Sequence, residues 1–291
     1  MSSTFNPELD ESFEYGTAHD LQTLTVDVPN SLSKTPDPSK CFLIYIHGGA
    51  WRSPAQSAAD FDPARNLILN TAAYSDILPR IAGFASINYG LSSPSSNPSR
   101  IPGRNYKYPQ HLQDIRLALD WLRERYNIGA TDGWNYILIG HSCGATMAFQ
   151  ITSSLTPSGT GYRSPLAVVG IEGLYDLPLL LKNFPDPFYR QFVTDAFGDS
   201  EQNWADWSPV NDAKLGDTVT SSTVLTIAHS DDDELVDWAQ AEAMKLAISK
   251  CKGKEKTLVV SLKGSHDDVW QKGVGVAEAI RQTLNKCYET E

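Results

Sequence analysis

NYILIGHSCGATMAF, from Asn135 to Phe149, is the stretch that decides the fold. Its first six residues have the apolar character of a strand buried on both faces, and its second half has that of a helix. Between them, GHSCG fits G-x-S-x-G, a strained strand-to-helix turn that presents a serine above a parallel sheet. A plain turn rich in small residues fits the same five positions, so the rest of the chain has to decide.

The two glycines of this motif have a steric reason. In a strained turn the strand and helix backbones come close together, which leaves no room for a Cβ at Gly140 or Gly144. The side chain of Ser142 then projects above the sheet. The helix that begins near Cys143 directs its first backbone N–H groups to the same place, where a negative oxygen would develop during acyl transfer.

Apolar runs and helical patterns alternate along the rest of the chain. The apolar runs read as buried strands, and HLQDIRLALDWLRERY and GVAEAIRQTLNK have helical spacing. This alternation predicts an α/β fold with a doubly wound, mostly parallel sheet flanked by helices. We expect a single domain over residues 1–291, with residues 1–20 as a partly irregular N-terminal extension. The other strands are predicted in LQTLTVDV, CFLIYIHGG, AGFASINYGL, LAVVGIEGLYDL, STVLTIAHS and KTLVVSLKGS.

HGGAW, from His47 to Trp51, follows the predicted strand CFLIYI. Two glycines at a strand end allow the backbone to turn its amides towards a site, where they could stabilise an oxyanion. The alternative is an ordinary Gly-Gly turn in which His47 and Trp51 only pack. An HGG motif upstream of G-x-S-x-G is typical of the oxyanion loop of esterases, which favours the first interpretation.

Two further motifs supply an acid and a base. HSDDDELV holds several acidic residues, and the spacing of strand, x-x-D-x-x-V selects Asp233, with Asp232 as the alternative. GSHDD places His266 after the last predicted strand. Ser142, Asp233 and His266 then occur in the chain order of serine hydrolases with an α/β sheet. A plain structural interpretation of the three motifs does not explain that order.

Composition limits the other possibilities. The formal net charge of −11 argues against a nucleic-acid or anionic-membrane partner. No secretory leader and no apolar run of membrane-spanning length is recognised, so we expect a soluble, cytoplasmic protein, with passive entry into the nucleus left open. The four cysteines form no C-x-x-C pair, and neither a zinc motif nor a nucleotide-binding glycine motif occurs. We therefore expect free thiols, no metal and no cofactor.

These motifs resemble the α/β-hydrolase fold and, within it, the kynurenine formamidases (arylformamidases) of fungi. HGGAW is similar to the H-G-G-x-W signature of that family, and further segments occur in the same order: GHSCGATMAFQ, IEGLYDLPLLLKNFP and HSDDDELV followed by GSHDDVW. The likeness runs from about Cys41 to the C-terminal helix. Residues 52–75 and 153–163 carry no diagnostic motif.

The resemblance implies hydrolysis of N-formyl-L-kynurenine to L-kynurenine and formate, in tryptophan catabolism and NAD biosynthesis, without a cofactor. It implies a formyl-enzyme intermediate, and members are often homodimers. Its motif positions imply a catalytic triad and an oxyanion hole. The triad would be Ser142, Asp233 and His266; the oxyanion donors would be the amides of Gly49, Ala50 and Cys143; and the motif positions are His47, Gly48, Gly140 and Gly144.

The substrate pocket is less well defined by the sequence. Six aromatic residues are candidates to line it, and Trp51 and Tyr89 are favoured because they lie at strand ends. The other four are Tyr175, Phe184, Phe188 and Tyr189. Two alternatives to the formamidase stay open: a carboxylesterase acting on short-chain or aryl esters, and a non-catalytic binding module on the same fold. The sequence does not identify residues that would bind the amino-acid head group of kynurenine.

Overall fold

One eight-stranded sheet forms the centre of the protein in the computed structural model, which describes residues 11–155, 163–212, 215, 222–251 and 256–289. The spatial order is β1-β2-β4-β3-β5-β6-β7-β8. The strands from β3 to β8 are parallel, whereas β2 pairs with β4, and β1 with β2, in antiparallel fashion. The prediction of a mostly parallel sheet is confirmed. The strands are β1 (Glu11–Glu14), β2 (Thr23–Asp27), β3 (Cys41–Ile46), β4 (Ile81–Ile87), β5 (Asn135–His141), β6 (Ala167–Ile171), β7 (Val224–Ser230) and β8 (Thr257–Leu262).

Helices cover both faces of this sheet, as a doubly wound fold requires. Helices α2, α3 and α7 pack on one face, and α1 and α9 pack on the other. The α-helices in the described ranges are α1 (Asp62–Asn70), α2 (Gln110–Tyr126), α3 (Cys143–Ser154), α4 (Leu177–Asn183), α5 (Pro187–Phe197), α6 (Glu201–Asp206), α7 (Trp238–Ile248), α8 (His266–Gln271) and α9 (Val274–Cys287).

Strand β3 shows why the strands are apolar at every position. All six of its residues are buried, and successive side chains enter opposite cores. Phe42, Ile44 and Ile46 belong to the core beneath α2 and α3, whereas Cys41, Leu43 and Tyr45 belong to the core beneath α1 and α9. A strand with two apolar environments has no solvent face, so it shows no polar alternation.

Two regions for which the sequence predicted no strand or helix are regular in the structure. Residues Glu11–Glu14, within the extension expected to be partly irregular, form an edge strand that pairs with β2. The region from about residue 184 to 211 contains α5 and α6. Most of the non-diagnostic segment 153–163 lies outside the described residues. Within the described part of the chain, no helix combines the length and apolar character needed to cross a membrane.

Candidate active site

The turn at Ser142 is strained, as G-x-S-x-G predicts. Ser142 joins β5 to α3 with φ 54° and ψ −125°, a conformation that costs an L-residue about 1–3 kcal/mol. The surroundings enforce it. A Cβ on Gly140 would lie 2.2 Å from the carbonyl oxygen of Gly144, and one on Gly144 would lie 2.2 Å from that of Ile46. The amide of Ser142 also donates to the carbonyl of Ile171 on β6, at 2.8 Å.

The loop that carries the HGG motif, His47 to Trp51, is called the HGG loop here. It lies beside this turn because β3 and β5 are neighbouring strands. Beneath the loop, the Tyr89 hydroxyl donates to the carbonyl oxygens of His47 (2.9 Å) and Gly48 (3.0 Å). In a trans peptide the C=O and the following N–H point in opposite directions. The Gly48 carbonyl points down to Tyr89, so the N–H of Gly49 points up. Gly49 and Ala50 both line the cleft that contains Ser142.

Trp51 and Tyr89, which were expected to line the pocket, lie beneath the cleft instead. Both are fully buried. The Trp51 indole N–H donates to the Tyr108 hydroxyl at 2.9 Å, and its ring meets Phe197 edge-on with the ring centres 5.0 Å apart. These contacts hold Ala50 and Trp51 at positive φ, 49° and 59°. Both aromatic residues therefore support the HGG loop.

The side chain of Cys143 also holds this loop, although only its backbone amide was expected to matter. Its sulfur accepts a hydrogen bond from the Trp51 amide at 3.2 Å and lies 3.7 Å from the Tyr89 hydroxyl. Burial raises the pKa of the thiol to about 11, so it stays protonated at neutral pH. The thiol therefore links the first turn of α3 to the loop that faces it. Cys143 is the first residue of α3, where backbone N–H groups have no partner within the helix.

His266 lies against Asp233, as the sequence predicted. Its Nδ1 is 2.8 Å from Oδ2 of Asp233, and the other Asp233 oxygen accepts the amides of Leu235 and Val236, each at 2.9 Å. The alternative acid, Asp232, instead accepts the Gly264 amide at 3.2 Å and is exposed. His266 also lines the cleft that contains Ser142. The structure therefore brings together all three predicted triad residues.

Glu172 is a functional-site residue that the sequence motifs did not indicate. It directly follows β6 with φ 50°, is fully buried, and places Oε2 3.0 Å from Nε2 of His141 and 3.6 Å from Nδ1 of His266. Burial, with the nearby charge of Asp233, raises the pKa of the Glu172 carboxyl to about 10. Burial lowers the pKa of His141 well below its usual range. At neutral pH this is a hydrogen bond between two neutral groups.

The structure places His141, the residue that precedes Ser142, next to His266. The rings of His141 and His266 are 4.6 Å apart between centres. His141, Glu172 and His266 offer ligand-type atoms within 4.8 Å of one another, the kind of group that can hold a metal ion. Nε2 of His141 already pairs with Oε2 of Glu172, and Nδ1 of His266 pairs with Oδ2 of Asp233. A cation bound through these atoms would replace both contacts.

The neutral state of Glu172 predicts a pH-dependent stability. In the unfolded chain a glutamate loses its proton near pH 4, whereas in the folded protein Glu172 keeps it up to about pH 10. Between these values the folded state binds the extra proton, so its stability falls as pH rises. Glu172→Gln cannot ionise. We expect the difference in free energy of unfolding, Glu172→Gln minus wild type, to increase by at least about 1 kcal/mol from pH 5 to pH 9, as measured by urea denaturation.

The matched control is Glu242→Gln, since Glu242 is an exposed glutamate on α7. Its difference from wild type should stay constant across the same pH range. A constant difference for Glu172→Gln as well would show that Glu172 is ionised in the folded protein.

The cleft above these groups has a volume of about 560 Å³. Its wall is mostly apolar and aromatic, and its floor contains Ser142 and His266. This size and composition suit a small aromatic molecule. Phe188 and Tyr189, both on α5, were among the aromatic candidates of the sequence, and both line this cleft. The side chains that form the wall include Leu174, Phe188, Tyr189, Phe192, Leu235 and Val236.

The geometry agrees with comparisons to known proteins. The BD-FAE family model matches residues 31–248. A kynurenine formamidase from Aspergillus versicolor is 37% identical over 278 residues, which cover 87% of this chain and 92% of the relative. The chain belongs to the kynurenine formamidase family. A kynurenine formamidase-like hydrolase from Fusarium equiseti is 35% identical, with 91% of this chain and 89% of the relative covered. The family resemblance of the motifs is thus confirmed.

Solved structures place this formamidase-family chain on the α/β-hydrolase fold. Esterase B from Lactobacillus rhamnosis matches with a TM-score of 0.65 and 13% identity, over 95% of this chain and 85% of the esterase. Carboxyl esterase 2 from Tuber melanosporum matches with a TM-score of 0.63 and 16% identity, over 91% and 80% of the two chains. At these identities the likeness concerns the fold alone.

Proposed function

We propose that this chain is a serine hydrolase that converts N-formyl-L-kynurenine to L-kynurenine and formate. The substrate is suggested by the relatives named kynurenine formamidase, which match about nine-tenths of the chain. The reaction type is supported by one observation above the others. The bonded pair of His266 and Asp233, at 2.8 Å, shares a cleft with Ser142 on its strained turn.

In the proposed first step, His266 takes the proton of the Ser142 hydroxyl as general base. The serine oxygen attacks the formyl carbon, and the carbonyl oxygen becomes an oxyanion. Amide N–H groups of Gly49, Ala50 and Cys143 would stabilise it, each contributing on the order of 10²–10³ in rate. Asp233 holds the imidazole in the required tautomer and stabilises the imidazolium that forms.

In the second step the carbon–nitrogen bond breaks. The imidazolium of His266 gives its proton to the departing arylamine, which leaves as kynurenine, and the formyl group stays on Ser142 as an ester. Water then enters, His266 takes its proton, and the hydroxide attacks the formyl ester. Collapse of this intermediate releases formic acid, which ionises to formate in water, and His266 returns its proton to the Ser142 oxygen. All proton transfers use protein groups present in the cleft.

A direct comparison of substrates tests this function. The purified protein should hydrolyse N-formyl-L-kynurenine with a higher kcat/KM than a p-nitrophenyl ester, and mass spectrometry of the quenched reaction should show a formyl adduct on Ser142. The relatives named kynurenine formamidase are the reason for this expected order. The apolar, aromatic wall of the cleft can enclose the aryl ring of either substrate, so the comparison tests the formamide against the ester rather than the fit of the ring. Ester turnover without formamide cleavage would instead identify a carboxylesterase.

A further inference from the structure

Arg52 directly follows HGGAW, at the start of a segment that carries no recognised motif. It lines the active-site cleft, and among the cleft-lining residues that the structure describes it is the one arginine or lysine. The chain as a whole carries a net charge of −11. Arg52 therefore places a positive charge in the cleft that contains the proposed nucleophile of an acidic protein.

The guanidinium of Arg52 is held in place from two sides. Its Nη1 lies 3.2 Å from Oδ2 of Asp195, whose side chain is only 2% exposed. The other oxygen of Asp195 accepts the amide of Ser95 at 2.8 Å, so the carboxylate is itself fixed. The guanidinium also lies over the Phe188 ring, 5.0 Å from its centre. An arginine held in this way loses little conformational entropy when it binds a ligand.

The ion pair with Asp195 does not use all the N–H donors of the Arg52 guanidinium. A guanidinium carries five N–H donors arranged for two-point contact with a carboxylate. The Arg52 side chain is 22% exposed, so part of it reaches the open space of the cleft. Substrate carboxylates bind well at such positions because the cation is partly shielded from water.

We propose that Arg52 binds the carboxylate of the substrate, so that the cleft selects aryl formamides carrying a carboxylate group. This inference rests on the proposed function, because it assigns the head-group contact of the same substrate. A purely structural role for Arg52, as the counter-ion of buried Asp195, would affect all substrates alike. The two roles therefore differ in a ratio of activities.

The test compares N-formyl-L-kynurenine with N-formylkynuramine, which is the same molecule without the carboxylate. For the wild type, kcat/KM should favour the carboxylate-bearing substrate. In Arg52→Gln the ratio of the two kcat/KM values should fall about 10- to 100-fold, mainly through KM, because a hydrogen bond to a charged group is lost. Arg52→Lys should recover part of the ratio, since it keeps the charge but not the two-point geometry.

Arg190→Gln is the matched control. Arg190 also lies over an aromatic ring, that of Trp204 at 5.0 Å, but it is an exposed residue outside the set that lines the cleft. Its ratio should equal that of the wild type. An unchanged ratio in Arg52→Gln, with both activities reduced equally, would overturn the proposal and leave Arg52 as a structural counter-ion.

Failure of the proposed function gives a different result. In that case the wild type would cleave neither formamide but would still cleave an ester. Inhibition of ester hydrolysis by L-kynurenine and by kynuramine then tests Arg52 alone. Stronger inhibition by L-kynurenine in the wild type, lost in Arg52→Gln, supports the carboxylate contact, and equal inhibition by both compounds overturns it.

Discussion

Ser142→Ala should remove formamide cleavage almost completely, by a factor on the order of 10⁶ in kcat. The expected loss is this large because the hydroxyl oxygen of Ser142 is the atom that would bond to the formyl carbon. In the described part of the cleft, no other hydroxyl stands on the strained turn to replace it. The fold should survive, since the backbone at position 142 is held by Gly140, Gly144 and the strand pairing rather than by the hydroxyl. Activity should be measured by release of the free arylamine.

Ser142→Gly gives this prediction a second, independent readout. Both variants lack the hydroxyl and should be equally inactive. Glycine adopts φ 54° without the penalty that a Cβ imposes, so Ser142→Gly should be more stable than Ser142→Ala by about 1 kcal/mol or more in urea denaturation. Activity retained in either variant would contradict the mechanism, and equal stability would contradict the strain at the turn.

Asp233→Asn should lower kcat by a factor on the order of 10⁴, whereas Asp232→Asn should change it little. The asparagine side chain would offer an amide that can donate to Nδ1 of His266, which stabilises the wrong tautomer and leaves the imidazolium unsupported. Asp232 accepts the Gly264 amide, at 3.2 Å, and an asparagine oxygen can accept that bond as well.

The two variants should be compared at saturating substrate, so that kcat reports the chemical step. Circular dichroism should confirm that both are folded, because Asp233 also accepts two amides of its own loop. The reverse order of activities would reassign the acid to Asp232.

The sequence was sufficient for seven of the eight strands of the sheet and for the residues at four of their ends. Apolar runs that end in glycine or in polar side chains mark parallel strands and their carboxyl ends, where sites form. The motifs HGGAW, GHSCG, HSDDDELV and GSHDD all lie at such ends. Glu172 also directly follows a buried strand, and the same rule applied to LAVVGIE would have found it.

The sequence did not predict whether an aromatic side chain at a strand end enters the cleft or the core beneath it. Trp51 and Tyr89 are aromatic residues near strand ends, but an aromatic ring there can enter the cleft or the core beneath it. The choice depends on Tyr108, Phe197 and Cys143, which come from distant parts of the chain. Arg52 was missed for the same reason, and among the aromatic candidates the sequence favoured Trp51 and Tyr89 over Phe188 and Tyr189 of α5. Short sequence motifs do not indicate which helix packs beside the cleft.

The pairing of β3 with β5 bears on how activity is acquired during folding. It sets Ile46 opposite Gly140, although β4 and α2 lie between them in the sequence. The HGG loop and the turn at Ser142 therefore meet only after this long-range contact has formed. Asp233 and His266, the proposed acid and base, follow β7 and β8. No contiguous fragment shorter than most of the chain contains the whole site. We therefore expect activity to appear late in folding, once the whole sheet has assembled, and to be lost early in unfolding.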